Sequence, residues 1–335
     1  MRSRLICSIL AIVVSGLSAC AQSPECFREE VFCAALVTDT RGLHDFGLNQ
    51  DTWTGLQRSK AEGVVDQIAY IESVDARDYE KNINFFVNGR YDVIVTSGIG
   101  LNDATLRSAD LYPNSVFVGM NQPDEESVPN FISVTFPEDQ MGFLAGALAT
   151  RLTQTKIVGA VCETSGIDAM WRYCEGFRAG AMYSDHTVEV RVVYRDDGSR
   201  EQLFIDEEWG MENANDLIQD GADVLFAAGG ETGVGALRAA ADSQVHAIGA
   251  ERDQHAALAE EGSSVVTSIL GRASSTVQEL MRRIEDGNLA DAEMSLIGYV
   301  PLEGFVPKSV IADIDQILLG LTSGSIKPNV TREKP

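Results

Sequence analysis

Short apolar runs rich in Val and Ile recur along the chain, separated by longer stretches in which apolar residues return every three or four positions. The first pattern is that of β-strands and the second that of amphipathic helices. Strands are predicted at Val31–Thr38, Val65–Ile71, Tyr91–Thr96, Ser115–Gly119 and Asn130–Phe136. A second series follows at Lys156–Val161, Thr187–Val193, Asp223–Ala227, Val245–Gly249 and Val265–Ile269. The helices between them are predicted at Leu48–Glu62, Arg77–Asn88, Leu101–Leu111, Glu138–Leu152, Ala169–Met182, Glu207–Gln219, Val234–Ala241 and Ser274–Ile284. Many strand runs are apolar at successive positions, as strands covered on both faces require. Strand–helix alternation argues for parallel sheets joined by right-handed crossovers. The expected class is therefore α/β, with two doubly wound lobes favoured over one large sheet. Ser295–Phe305 contains Pro301 and reads as an extended edge or crossover piece. Val310–Leu321 reads as a closing helix, and the polar tail, 326–335, as loose.

The N-terminus reads differently. Arg2 and Arg4 precede an apolar run from Leu5 to Leu17, about 13 residues, too short to span a bilayer comfortably. The run ends in Leu17-Ser18-Ala19-Cys20, which resembles a bacterial lipobox, in which the Cys is acylated and becomes the new N-terminus. Residues 1–19 are thus expected to be a lipoprotein signal, Cys20 the lipid anchor and 20–30 a tether; a plain secretory signal is the alternative. That address is the bacterial cell envelope, with the body facing the periplasm or the outer surface. Beyond Cys7 and Cys20 remain Cys26, Cys33, Cys162 and Cys174, an even number in an oxidising compartment. Three pairings are open to them, local pairing being the simplest, and four buried free thiols are the alternative. No CxxC occurs and none of the four His stands at ligand spacing from these cysteines, so no metal site is expected.

Composition narrows the partners. The 335 residues hold 50 Asp and Glu against 26 Lys and Arg, a net charge of −24. A general nucleic-acid binder needs a basic surface, and docking to anionic lipid needs one too, so both classes fall. Neither a Gly-x-Ser-x-Gly nucleophile elbow nor a GxGxxG dinucleotide fingerprint is present. A hydrolase is the less favoured reading, and no cofactor is expected.

Open α/β sheets bind ligands beyond the carboxyl ends of their strands. Those turns hold Asp39 with Asp45-Phe46-Gly47-Leu48-Asn49-Gln50, then Ser97-Gly98-Ile99-Gly100, Gly229-Gly230-Glu231, Glu251-Arg252-Asp253-Gln254 and Gly271-Arg272. Asp45 and Asn49 either cap the following helix or face a ligand.

In these turns, in Ser133-Val-Thr-Phe-Pro-Glu138-Asp-Gln140 and in Gly176-Phe177-Arg-Ala-Gly180, the chain resembles the basic membrane lipoprotein family of ABC-importer solute-binding proteins. The resemblance runs over about residues 31–325 and implies a type I periplasmic-binding-protein fold, two Rossmann-like lobes and a hinge. Lobe one is expected at 31–135 plus 268–325, lobe two at 136–267, with closure near Phe136 and Ser268. The resemblance implies a ligand set of Asp39, Asp45, Phe46, Asn49, Gly98, Trp171, Gly230, Glu231, Glu251, Asp253 and Arg272. Glu251 stands where the family has an Asp that holds ribose hydroxyls, and a carboxylate can accept from two of them. The chain departs from the pattern at Leu48, in place of a Phe, at Gly271 and Arg272, in place of a Lys, and at Glu231, which displaces a Thr. The second-lobe turn carries Glu163 and Trp171, and Trp171 offers a stacking face. The implied function is capture of a neutral, hydroxyl-bearing heteroaromatic, a purine nucleoside first and riboflavin as a variant, by a monomer that serves an ABC permease. A sensory binding module is the alternative.

Overall fold

The computed structural model describes residues 25–123, 128–199, 202–288, 297–331 and 334. The expected signal, the anchor Cys20 and the start of the tether lie outside the described residues. Strands β1 (Cys33–Thr38), β2 (Gln67–Glu72), β3 (Val93–Ser97), β4 (Val116–Met120) and β5 (Phe131–Val134) form one sheet. Its order is β2-β1-β3-β4-β5, with every neighbour parallel. Strands β6 (Ile157–Cys162), β7 (Glu189–Tyr194), β8 (Val224–Ala228), β9 (His246–Ala250), β10 (Val265–Leu270) and β11 (Gly298–Tyr299) form the other, in the order β11-β10-β9-β8-β6-β7. Only β11, at the edge, runs antiparallel among these pairs. The two hydrophobic series are therefore the two sheets.

Parallel neighbours need a crossover between them, and helices supply it. These are α1 (Leu48–Ala61), α2 (Tyr79–Asn88), α3 (Asn102–Leu111), α4 (Glu138–Leu152), α5 (Asp168–Ser184), α6 (Glu207–Gln219), α7 (Gly230–Asp242), α8 (Gln254–Leu258), α9 (Ala273–Glu285) and α10 (Lys308–Thr322). The central strands β1, β3 and β8 are buried at every position, as their unbroken apolar runs predict. Ile83, Phe86 and Leu101 fill the layer between the first sheet and α2 and α3. Leu217, Val234 and Leu237 fill the layer between the second sheet and α6 and α7. The remaining core is continuous through the hinge and includes Leu36, Leu56, Phe136, Phe143, Phe177 and Phe226.

Helices α4 and α5 touch backbone to backbone. A Cβ at Gly146 would collide with the Phe177 carbonyl, and one at Gly180 with the Phe143 carbonyl. Both disulfides are local: Cys26–Cys33 ties the entering chain to β1, and Cys162–Cys174 ties the carboxyl end of β6 to α5.

Three expectations about organisation are corrected. The boundary at 268 falls inside β10, where Ser268 and Ile269 pair with Gly249 and Ala250 of β9 in the second sheet. Helix α10 packs on α4, so of the segment 268–325 it is α9, seated on α1, that belongs with the first lobe. An apolar strand looks the same whichever sheet receives it, so pattern alone did not assign it. The chain thus passes between lobes after β5, after β10 and after α9. Helix α7 starts at Gly230 rather than at Val234, because Gly229 (φ 116°) and Gly230 (φ 61°) complete the turn by themselves. The tail is tied down rather than loose: Trp171 donates to the Thr331 hydroxyl (3.3 Å), and Lys334 reaches Ser165 (2.7 Å) and Asp196 (3.1 Å) on the second lobe.

Candidate functional site

The first-lobe turn between β1 and α1 is organised around Asp45. One carboxylate oxygen accepts from the Gly47 and Gln50 amides (3.0 and 3.2 Å), the other from that of Asn49 (3.1 Å). Asp45 therefore supplies the cap of α1, satisfying donors that an N-terminus leaves open. Asn49 donates to Asp39 (2.8 Å) and to the Gly42 carbonyl (2.9 Å), while its own side-chain oxygen is buried without a partner. Asp39 also pairs with Arg41 (2.8 Å). Gly98 has φ 109° and lies against Asp39, where a side chain would meet the carboxylate. Asp39, Asp45, Asn49 and Gly98 are thus one constellation at the carboxyl end of the first sheet.

Between the lobes lies a cavity of about 50 Å³. Leu48 and Asp51 of α1, Asn121 after β4, Phe136 and Glu138 at the hinge, Met170 and Tyr173 of α5, and Glu251 after β9 line it. This is room for a few waters, so a ligand of nucleoside size enters only if the lobes part. Three of the lining groups are carboxylates from different elements. Asp51 accepts from the Ser274 amide (2.8 Å) at the start of α9, and Glu138 pairs with Arg172. No donor among the described residues reaches the Glu251 carboxylate. Burial pushes Asp51 and Glu138 above their ordinary range. It pushes Glu251 up to about 7, with Arg41 opposing the rise and Asp45, Glu138 and Asp51 adding to it. Burial likewise holds Tyr173 neutral and Asp45 above the usual carboxylate range. Among the described residues no group of His, Cys, Asp or Glu is arranged to hold a metal ion.

Phe46 sits across the gap from the second lobe, with Gly230, Glu251 and Gln254 around one narrow crevice. Four expected ligand residues lie elsewhere. Asp253 caps α8 through the Ala256 amide (3.0 Å). Glu231 stands among Glu207 and Arg238 on the outer side of α7's first turn. Arg272 is exposed and lies along Gly298 of β11, leaving its neighbours Gly271 and Ala273 to line the cavity. Trp171 stacks on Tyr194, with centroids 5.9 Å apart, and turns its N–H to the tail. The reason is local in each case: helical phase or cap geometry aims the side chain away.

Arg41 and Phe204 were missed, and Glu163 was named only as a residue of its turn. Arg41 lies between Asp39, Asp45 and Glu251, which hold its guanidinium firmly protonated, and its charge in an acidic turn was a readable signal. Phe204 comes from an irregular loop with no periodic pattern to expose it. Glu163, fully buried, accepts from the Phe204 amide (2.8 Å), from the Thr232 hydroxyl (2.8 Å) and from Arg195 (3.1 Å), which is also fully buried.

Two parallel α/β lobes, three chain passages between them and a cavity lined from both sides define a two-lobed solute-binding protein. The chain belongs to the family of PnrA-like ABC transporter substrate-binding proteins, whose model matches residues 32–299. Along its full length it is 26% identical to a CD4+ T-cell-stimulating antigen of Listeria monocytogenes, also over that protein's full length. It is 28% identical, over 76% of this chain and 75% of the other, to a protein of Lactococcus lactis named ABC transporter nucleoside-binding protein BmpA. A solute-binding protein of an ABC transporter system from Aeropyrum pernix superposes with a TM-score of 0.74 at 19% identity, covering 88% of this chain and 92% of that one.

Proposed function

We propose that the chain is the solute-binding lipoprotein of an ABC importer, anchored to the bacterial envelope through Cys20, and that it captures a purine nucleoside between its lobes as a monomer and hands it to a permease. The observation that carries the ligand class is Glu251, a half-buried carboxylate on the cavity wall that no donor among the described residues reaches. A ligand hydroxyl pair would donate to it as the lobes close and exclude water, because a carboxylate can accept from two hydroxyls. Asp51 and Glu138 on the same walls disfavour a phosphate-bearing ligand, because like charges in a desolvated space repel strongly. The nucleoside-binding relative in Lactococcus lactis supports the same reading. Asp39 and Asn49 serve the site by fixing the first turn.

Isothermal calorimetry against nucleosides, free bases, riboflavin and nucleotides tests this. Nucleosides should bind, with Glu251→Ala weakening them at least tenfold, and nucleotides should not. Binding of nucleotides alone, or of riboflavin alone, overturns the nucleoside assignment.

A further inference from the structure

Arg41 and Phe204 meet across the cleft. Arg41 comes from the first-lobe turn, and its guanidinium lies over the Phe204 ring, 4.8 Å from the centroid. The guanidinium is not free to choose that place. Its Nε donates to Asp39 (2.9 Å), which fixes the plane of the fork. A weakly hydrated, planar cation on an aromatic face is a favourable contact, and more so where water is partly excluded. The Arg41 side chain retains only 20% of its exposure.

The Phe204 half is held with equal care. Its backbone has φ 66°, a left-handed conformation that is unfavourable for a bulky residue. Three contacts hold it there. The Phe204 amide donates to Glu163 (2.8 Å), its carbonyl accepts from the Glu231 amide (2.8 Å), and Gly230 leaves the space beside that carbonyl open. Glu163 is in turn fixed by Arg195, whose remaining bonds run to Asp206 (2.9 Å) and to the Ser199 carbonyl (2.9 Å) in the same loop. A fully buried ion pair adds little net stability, but it restricts geometry. All of this pair's bonds serve the loop that carries Phe204, its own strand end and the first turn of α7.

We propose that Arg41 and Phe204 form a latch across the cleft, and that the buried Glu163–Arg195 pair is the positioning device that keeps the Phe204 half in place. The latch parts when the lobes open, so it sets the balance between open and closed forms. It needs lobes that move but no particular ligand, and it stands independently of the nucleoside assignment.

Spin labels at Val74→Cys in the first lobe and Leu319→Cys in the second, both exposed, report the interlobe distance in protein without added ligand. Arg41→Gln and Phe204→Leu should each shift the population toward longer distances about fivefold. The double variant should shift no further than either single one, and Phe204→Tyr, which keeps the aromatic face, should restore the original distribution. Unchanged distances in both single variants overturn the latch. For the positioning pair, Glu163→Gln should reproduce the shift and speed hydrogen exchange at the Phe204 amide. A still-protected amide with an unchanged distance overturns that part. If Glu163→Gln does not fold, Arg195→Lys gives the same two readouts with the charge retained.

Discussion

The side-chain amide of Gln254, on the second lobe, donates to the backbone carbonyl of Phe46, on the first, at 3.1 Å. Phe46 presents that carbonyl because its backbone is left-handed (φ 51°). Gln254 is aimed by two further bonds, to the Ala250 carbonyl (3.1 Å) and from its own amide to the Ser268 hydroxyl (3.1 Å). The lobes therefore meet through groups that are each also held by contacts or backbone geometry within their own lobe.

Gln254→Met keeps the volume and removes the bond. A hydrogen bond of this kind contributes about 1 kcal/mol, so the open form should gain roughly fivefold. Small-angle scattering should show a larger radius of gyration for the variant than for the parent. Identical curves would remove this bond from the closing interface.

The carboxylates of the cavity predict a pH dependence. Glu251 rises from 4.5 to about 7 on burial, so the folded, closed protein binds a proton there that the unfolded chain has already released. Stability should therefore be greatest below pH 4.5 as far as this group is concerned, and fall as pH rises to about 7. Asp45, Asp51 and Glu138 are shifted the same way and add to the fall. Thermal melts between pH 5 and 8 should show a declining Tm, and Glu251→Gln should flatten the slope. An unchanged slope in that variant would falsify the assignment to Glu251.

Backbone contact between α4 and α5 leaves no space for a side chain. Gly146→Leu must push the helices apart, at a cost of at least about 1–3 kcal/mol for overpacking. Its denaturation midpoint should drop, whereas Met182→Leu, at an exposed position of α5, serves as the control. Equal midpoints would mean that the helices can separate freely.

The Cys162–Cys174 bridge spans 12 residues and pins α5 beside Met170 and Tyr173 on the cavity wall. Replacing both cysteines with Ala should cost about 3 kcal/mol, read by urea denaturation. A nucleoside that binds the parent should bind the variant more weakly, because the wall is less well ordered.

Much of this fold is legible in the order of apolar runs. Two series of five strands, most of them followed by an amphipathic helix, lead to two parallel sheets because that pattern has few other solutions. The turn after β1 was also readable: Asp39, Asp45 and Asn49 are polar residues where a strand ends and a helix begins, and such groups bond to the nearby backbone. The homes of β10 and α10 were not readable, since an apolar strand or helix face does not state which lobe will cover it. Nor was the direction of a side chain within a turn. Asp253 and Glu251 stand two residues apart, yet one caps a helix and the other faces the cavity, because Glu251 takes a left-handed backbone (φ 67°) and Asp253 an extended one.

By itself the sequence determined the element order, the doubly wound class, the local disulfide option and the acidic character of the strand-end turns. These depend on near neighbours and on hydrophobic period, which are written in linear order. The tertiary structure decided which turns face one another. It set Glu251 against Asp51 and Glu138, Arg41 on Phe204 and Gln254 against Phe46. Those pairs lie far apart in the chain, and only the packing of two independent sheets about a shared hinge fixes the distances between them.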